Sequence, residues 1–275
     1  MLRYGQLTVE GRTVRYVTEG SGPPLMLLHG PPFDHRLWAP VIPYLAGRFR
    51  VVALDVPALD GPVAAVNLSP DQLVRTAAGF ATAAQIVPCA VAGASLGGAV
   101  ALGLAARYPE RVSALVLVGS AGLEWWPQTP QARFARWARR VPGLLDAVMR
   151  LAPQPRAHAL LSSVLADDSA IDGTLVGQVA SVFRSASGRR ALIQTLRQLD
   201  GWERLRRQVG AVRAPALLAW GERDEAYPLP TAERLRHAIS GARLVTLAGA
   251  GHLLTVERPV ELAALMRNFL LEPRR

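Results

Sequence analysis

The chain has 275 residues, half of them hydrophobic, which suits one α/β domain carrying an inserted subdomain. Its formal charge is +10, and all 31 basic residues are arginine, set against 21 acids. No nucleic-acid motif or aromatic–basic platform accompanies that charge, no run is apolar enough to span a bilayer, and the single cysteine, Cys89, excludes an internal disulfide.

In chain order, the first six residues lack the apolar run of a secretory signal, so a cytoplasmic location is expected. Residues 6–9 and 13–17 alternate in polarity around Glu10-Gly11, which predicts a β-hairpin. After a Gly/Pro loop, residues 25–28 form a continuous apolar run of the kind buried on both faces of a sheet. Residues 51–54, 90–92, 114–118, 216–220 and 244–247 read the same way. Helical patterns lie between them, one running from Ser69 to Ile86 with Ser69 as cap and Pro70 in the first turn. Such alternation predicts a parallel sheet covered on both sides.

The alternation stops between Gly122 and about Gln208, where Arg-rich amphipathic helices are punctuated by Pro127, Pro130, Pro142, Pro153 and Pro155. The expected organisation is a core of residues 1–123 and 209–275, with residues 124–208 forming a helical lid over the carboxyl edge of the sheet. The stretch from Glu124 to Val209 holds 13 Arg against 7 acids, which is +6 of the total +10. That excess would either steer an acidic substrate or acidic carrier protein, or simply solvate a helical surface.

The sharpest motif is Gly93-Ala94-Ser95-Leu96-Gly97-Gly98, set between a predicted strand and a buried helix ending near Tyr108-Pro109. Strand, Gly-x-Ser-x-Gly, helix is a turn that lifts one hydroxyl out at a sheet edge, and it marks Ser95 as candidate nucleophile. A serine hydroxyl needs a neighbouring base. His252, in Gly249-Ala250-Gly251-His252, has the residue type whose ordinary pKa suits that task. Asp224 follows a predicted strand and is the candidate to orient the imidazole, with Glu222 and Glu225 as rival carboxylates. His29, His35, His158 and His237 form no metal-ligand spacing with Cys, Asp or Glu. No phosphate loop or dinucleotide fingerprint is present either, so no metal and no cofactor are expected.

Leu27-Leu28-His29-Gly30, the Ser95 turn, Tyr108-Pro109-Glu110-Arg111-Val112, Trp220-Gly221-Glu222-Arg223-Asp224 and Gly249-Ala250-Gly251-His252 occur in one order and spacing. With these motifs the chain resembles the α/β-hydrolase superfamily, in its lidded single-domain branch. The resemblance implies a mostly parallel eight-stranded sheet flanked by helices, an inserted helical lid, and a triad of Ser95, Asp224 and His252. It also implies an oxyanion hole made by the amide of Leu96 and an amide just after His29-Gly30. Here Pro31 stands at the second position and has no N–H. A re-registered loop would have to offer Phe33 or a later amide, failing which a side chain or water must serve. His29, Pro32, Trp125 and Trp126 are the expected substrate contacts, with Leu123, Phe134 and Trp137 as further apolar lining. The stretch after Asp55, beginning Val56-Pro57, departs from the family's usual turn.

The expected function is a serine hydrolase that cleaves a carboxylic ester, thioester or lactone through an acyl-enzyme. Its partner would be a small ester-like substrate, carrier-linked or acidic. One alternative keeps the triad for perhydrolase, haloperoxidase or C–C bond hydrolysis. The His-Gly-x-Pro loop resembles cofactor-free perhydrolases, whereas C–C hydrolases usually carry a Gly-rich continuation absent here. A second alternative is a low-turnover ligand-binding protein with a hydrolase fold. The oligomeric state has no signal in the sequence.

Overall fold

The computed structural model describes residues 1–55, 69–124 and 126–273. Trp125 and the stretch beginning at Val56 therefore lie outside the described residues. The strands are β1 (Arg3–Val9), β2 (Arg12–Glu19), β3 (Pro24–Leu28), β4 (Arg50–Leu54), β5 (Cys89–Ala94), β6 (Val112–Val118), β7 (Ala216–Gly221) and β8 (Arg243–Leu247). They form one eight-stranded sheet in the order β1-β2-β4-β3-β5-β6-β7-β8. The β1–β2 and β2–β4 pairs are antiparallel, and every later pair is parallel.

The inner parallel strands are mostly apolar because both faces are covered, the polar exceptions Arg50 and Ser113 lying at or next to the first position of β4 and β6. Met26, Leu28, Val52, Val91 and Leu117 point into one core cluster, whereas Leu25, Leu27, Val51, Ala92 and Val116 point into the other. This is the two-residue period of a strand read off a continuous apolar run. The first cluster is closed by α2 (Pro70–Ala83) and α3 (Leu96–Arg107), the second by α1 (Ile42–Leu45) and the carboxyl-terminal helix described below. Ser69 caps α2 by accepting the amide of Gln72, as its position before Pro70 predicts.

Among the described residues between β6 and β7, every regular element is helical. These are α4 (Pro130–Ala138), α5 (Leu144–Arg150), α6 (Pro153–Ser162), α7 (Gly173–Arg184), α8 (Ala186–Gln198) and α9 (Glu203–Arg206), with short 3-10 turns. Pro130 and Pro153 each occupy a first helical position, where a missing N–H costs nothing. The chain closes with α10 (Leu229–Ala238), α11 (Leu254–Glu257) and α12 (Pro259–Leu271). One strand departs from expectation. Residues 244–247 were expected to be buried on both faces, yet β8 is half-exposed because it is the sheet's edge and pairs with β7 alone.

Candidate active site

Ser95 sits between β5 and α3 with φ +53° and ψ −124°, a backbone conformation that L-residues rarely hold. Three backbone hydrogen bonds brace it. Its amide donates to Val118 O at 3.0 Å, and its carbonyl accepts from Gly98 N at 3.0 Å and Ala121 N at 3.1 Å. The flanking glycines are required by crowding. A Cβ on Gly93 would strike the carbonyl of Gly97, and one on Gly97 would strike the carbonyls of Leu28 and His29. The elbow is thus wedged against the end of β3, and Leu96 presents one of the amides that a helix start leaves without an intrahelical partner.

The loop after β3 lies directly on this elbow. A methyl group at Gly30 would come within 2.9 Å of Ser95 Cβ and 3.1 Å of Leu96 N. Phe33 N donates to Gly30 O at 3.1 Å, which closes residues 30–33 into a turn. Phe33 was expected to offer its amide to an oxyanion; in the structure that N–H donates to Gly30 O, and Phe33 is part of the cavity wall. His29 was expected among the substrate contacts; it is buried and is not part of the described cavity lining, with Nδ1 3.4 Å from Gly30 O. Burial lowers its pKa from the ordinary 6.5, outweighing the pull of Asp55 and Asp34.

His252 and Asp224 meet in the interior, 7% and 4% exposed. The Nδ1 of His252 lies 3.0 Å from Asp224 Oδ2, and Asp224 Oδ1 accepts the amide of Tyr227 at 2.8 Å. Neither rival carboxylate shares this place. Glu222 accepts the amide of Gly249 at 2.9 Å on the exposed side, and Glu225 is exposed. Gly119, with φ +46°, backs onto the pair, where a Cβ would stand 3.0 Å from His252 Nδ1 and 3.2 Å from Asp224 Oδ2.

The segment that bears His252 is fixed by contacts the sequence does not announce. His252 N donates to Val164 O at 2.8 Å. One oxygen of Glu257 accepts from Gly251 N at 2.9 Å and Ala166 N at 3.0 Å, while the other accepts from Leu253 N at 3.2 Å. A carboxylate holding three amides ties the His252 loop to the helical insertion. Glu257 stands five positions after His252, a spacing with no pattern meaning before the fold is known.

Ser95, Leu96, His252 and Pro31–Phe33 form one wall of a cavity of about 490 Å³, and the helical insertion forms the other. The opposing lining comes from Trp126, Phe134, Leu145, Met149, Leu160, Phe183 and Leu192. Of the expected substrate contacts and apolar lining, Pro32, Trp126 and Phe134 line the cavity, whereas Leu123 and Trp137 are not part of the described lining. Apart from His252, its described lining holds two ionisable groups, Arg156 and the phenol of Tyr227. The size and lining suit a mostly apolar small-molecule ligand.

A second, more polar groove of about 700 Å³ shares Pro32 and contains Asp34, His35 and Asp55. These three bring ligand-type atoms within 4.8 Å of one another, a cluster the sequence spacing did not suggest. Their charges are already engaged. Asp34 is paired with Arg36 at 2.6 Å and accepts from Gln178 at 2.8 Å. Asp55 accepts the amide of His35 at 2.8 Å and lies 2.8 Å from its Nδ1, with Arg15 at 3.8 Å. Burial would raise the pKa of Asp34, but the Arg36 hydrogen bonds overcome it and hold the group at about 2. This arrangement is that of a self-compensated ion-pair network.

The sequence pattern of the alpha/beta hydrolase fold matches residues 23–259. The chain belongs to this family. Within it, the 2-hydroxymuconate semialdehyde hydrolase of Pseudomonas sp. (strain CF600) is 32% identical, over 92% of this chain and 88% of its own length. The dihydrolipoyllysine-residue acetyltransferase component of the acetoin cleaving system of Pseudomonas putida is 29% identical, over 95% of this chain and 68% of its own. Among solved structures, that of a membrane phospholipase A superposes with a TM-score of 0.81 at 27% identity, over 98% of this chain and 86% of that one. This alpha/beta hydrolase is accordingly an enzyme of the hydrolase class.

Proposed function

We propose that the chain is a serine hydrolase that cleaves a carboxylic ester, thioester or lactone through an acyl-enzyme. Ser95 is the nucleophile, His252 the base, and Asp224 the acid that orients and stabilises the imidazolium. The observation that carries this reading is the buried His252–Asp224 contact of 3.0 Å in a wall shared with an elbow serine of positive φ. His252 takes the proton of Ser95 as its oxygen attacks the carbonyl, the Leu96 amide receives the developing oxyanion, and the leaving group takes the proton back. Water then repeats the sequence on the acyl-enzyme. The helical insertion acts as the lid, and its apolar wall receives the acyl group.

C–C bond hydrolysis is the second reading, since a relative at 32% identity is a semialdehyde hydrolase. The cavity favours the ester. A substrate bearing its own carboxylate would have to desolvate that charge, and Arg156 is the one cation in the described lining. The test is labelling with a fluorophosphonate probe together with turnover on esters of graded acyl length. Ser95→Ala should abolish both labelling and turnover. Wild-type protein that neither labels nor turns over an ester would sink the proposal.

A further inference from the structure

Helix α4 reads Pro-Gln-Ala-Arg-Phe-Ala-Arg-Trp-Ala and buries one residue fully, Ala138. Phe134 is 45% exposed and Trp137 56% exposed, their ring centroids 5.9 Å apart. Val141, just beyond the helix, is also exposed. Two large aromatic rings side by side in water are unfavourable unless something covers them. Around them stand Arg133 and Arg140, exposed and without a carboxylate ion pair among the described residues, and Arg136, also exposed, which lies over the Trp126 ring at 5.8 Å and within electrostatic reach of Asp200. Residues 125–166 contain six Arg and one acid, Asp146, which is itself tied to Arg189 and Arg150.

The patch is continuous with the cavity. Phe134, itself 45% exposed, lines the space that holds Ser95, so the exposed face of α4 adjoins that cavity. We propose that this face docks on an anionic lipid surface, with Trp137 and Phe134 at the boundary between headgroups and acyl chains and the arginines on lipid phosphates. A lipid surface fits better than an acidic protein because the cations are interleaved with aromatic side chains rather than gathered in a polar patch. An acyl chain could also pass from the bilayer along Phe134 into the cavity without crossing water. The inference rests on the reading of that cavity as an acyl site, but docking does not require turnover.

The test is flotation of wild-type and Ser95→Ala protein with vesicles of phosphatidylcholine, alone or with phosphatidylglycerol. Both proteins should float with the anionic vesicles, stay behind with the neutral ones, and be released by high salt. Trp137→Gln should weaken binding about tenfold, and Arg133→Gln with Arg140→Gln about twentyfold. Neither change should alter turnover of a short soluble ester or the unfolding midpoint. Absence of flotation, equal flotation on neutral vesicles, or variants that bind as wild type would overturn the proposal. So would a Trp137→Gln effect confined to oligomeric state in light scattering, which would make the face a contact between copies. Loss of ester turnover in wild type alongside intact flotation would remove the proposed chemistry and leave the docking surface standing.

Discussion

In the proposed mechanism, an oxyanion formed at Ser95 would have the Leu96 amide on one side, and on the other a loop with little to give. Pro31 has no N–H, and the Phe33 N–H is committed to Gly30 O at 3.1 Å. One oxyanion donor is worth roughly 10²–10³ in rate. Pro31→Ala restores an amide beside the elbow and should raise kcat for a short ester by about a hundredfold with KM unchanged, since the donor acts on charge absent from the ground state. Steady-state kinetics on both proteins checks this, and an unchanged kcat would place the second donor elsewhere. Ser95, Asp224 and His252 could be picked out as candidates from sequence because each falls at a fixed place after a strand. Gly119 could not, because its contact with the His252–Asp224 pair comes from another strand end. The place of His29 outside the described lining was hidden for a related reason: adjacency to Gly30 does not say on which side of the loop the ring falls.

At the level of elements, the apolar runs located the strands well, because a strand buried on both faces leaves an unbroken hydrophobic signature. Exposure at β8 was hidden, since sheet order is a property of the whole topology and an apolar edge strand spells the same as an inner one. Proline punctuation marked the starts of α4 and α6, but nothing in it disclosed that residues 164–166 touch the His252 loop. Glu257→Gln tests the importance of that contact. The amide is nearly isosteric, yet it offers a single acceptor oxygen and turns an NH₂ toward backbone donors. Stability should fall by about 1–3 kcal/mol, and kcat by about tenfold with little change in KM. Urea unfolding and steady-state kinetics measure the two effects, and a variant stable as wild type with full kcat would deny the clamp any role in placing the imidazole.

Across the whole molecule, acid response follows from where the buried groups lie. Burial keeps the folded-state pKa of His29 below the ordinary 6.5, so the unfolded chain binds a proton there before the folded one does. Stability is therefore full above about 6.5 and declines as pH falls through the window beneath it. Asp34, held at about 2 against an ordinary 3.8, has the same sign further down and adds a second loss on strong acidification. Denaturant midpoints followed from neutral to acid pH should be flat at first and then slope downward, and His29→Gln should remove the upper part of that slope. A wild-type midpoint independent of pH below 6.5 would contradict the burial argument for His29.

The hydrogen bond from His252 N to Val164 O and the Glu257 link to Ala166 also limit how this scaffold can be re-engineered. The helices between β6 and β7 look like an exchangeable cassette, to be swapped for another when a different substrate is wanted. Yet a foreign cassette would remove the carbonyl that seats residue 252, and the reaction centre would change with the specificity. Redesign of this chain should therefore proceed by point changes on the cavity faces of α4 to α8, with residues 164–166 carried over intact.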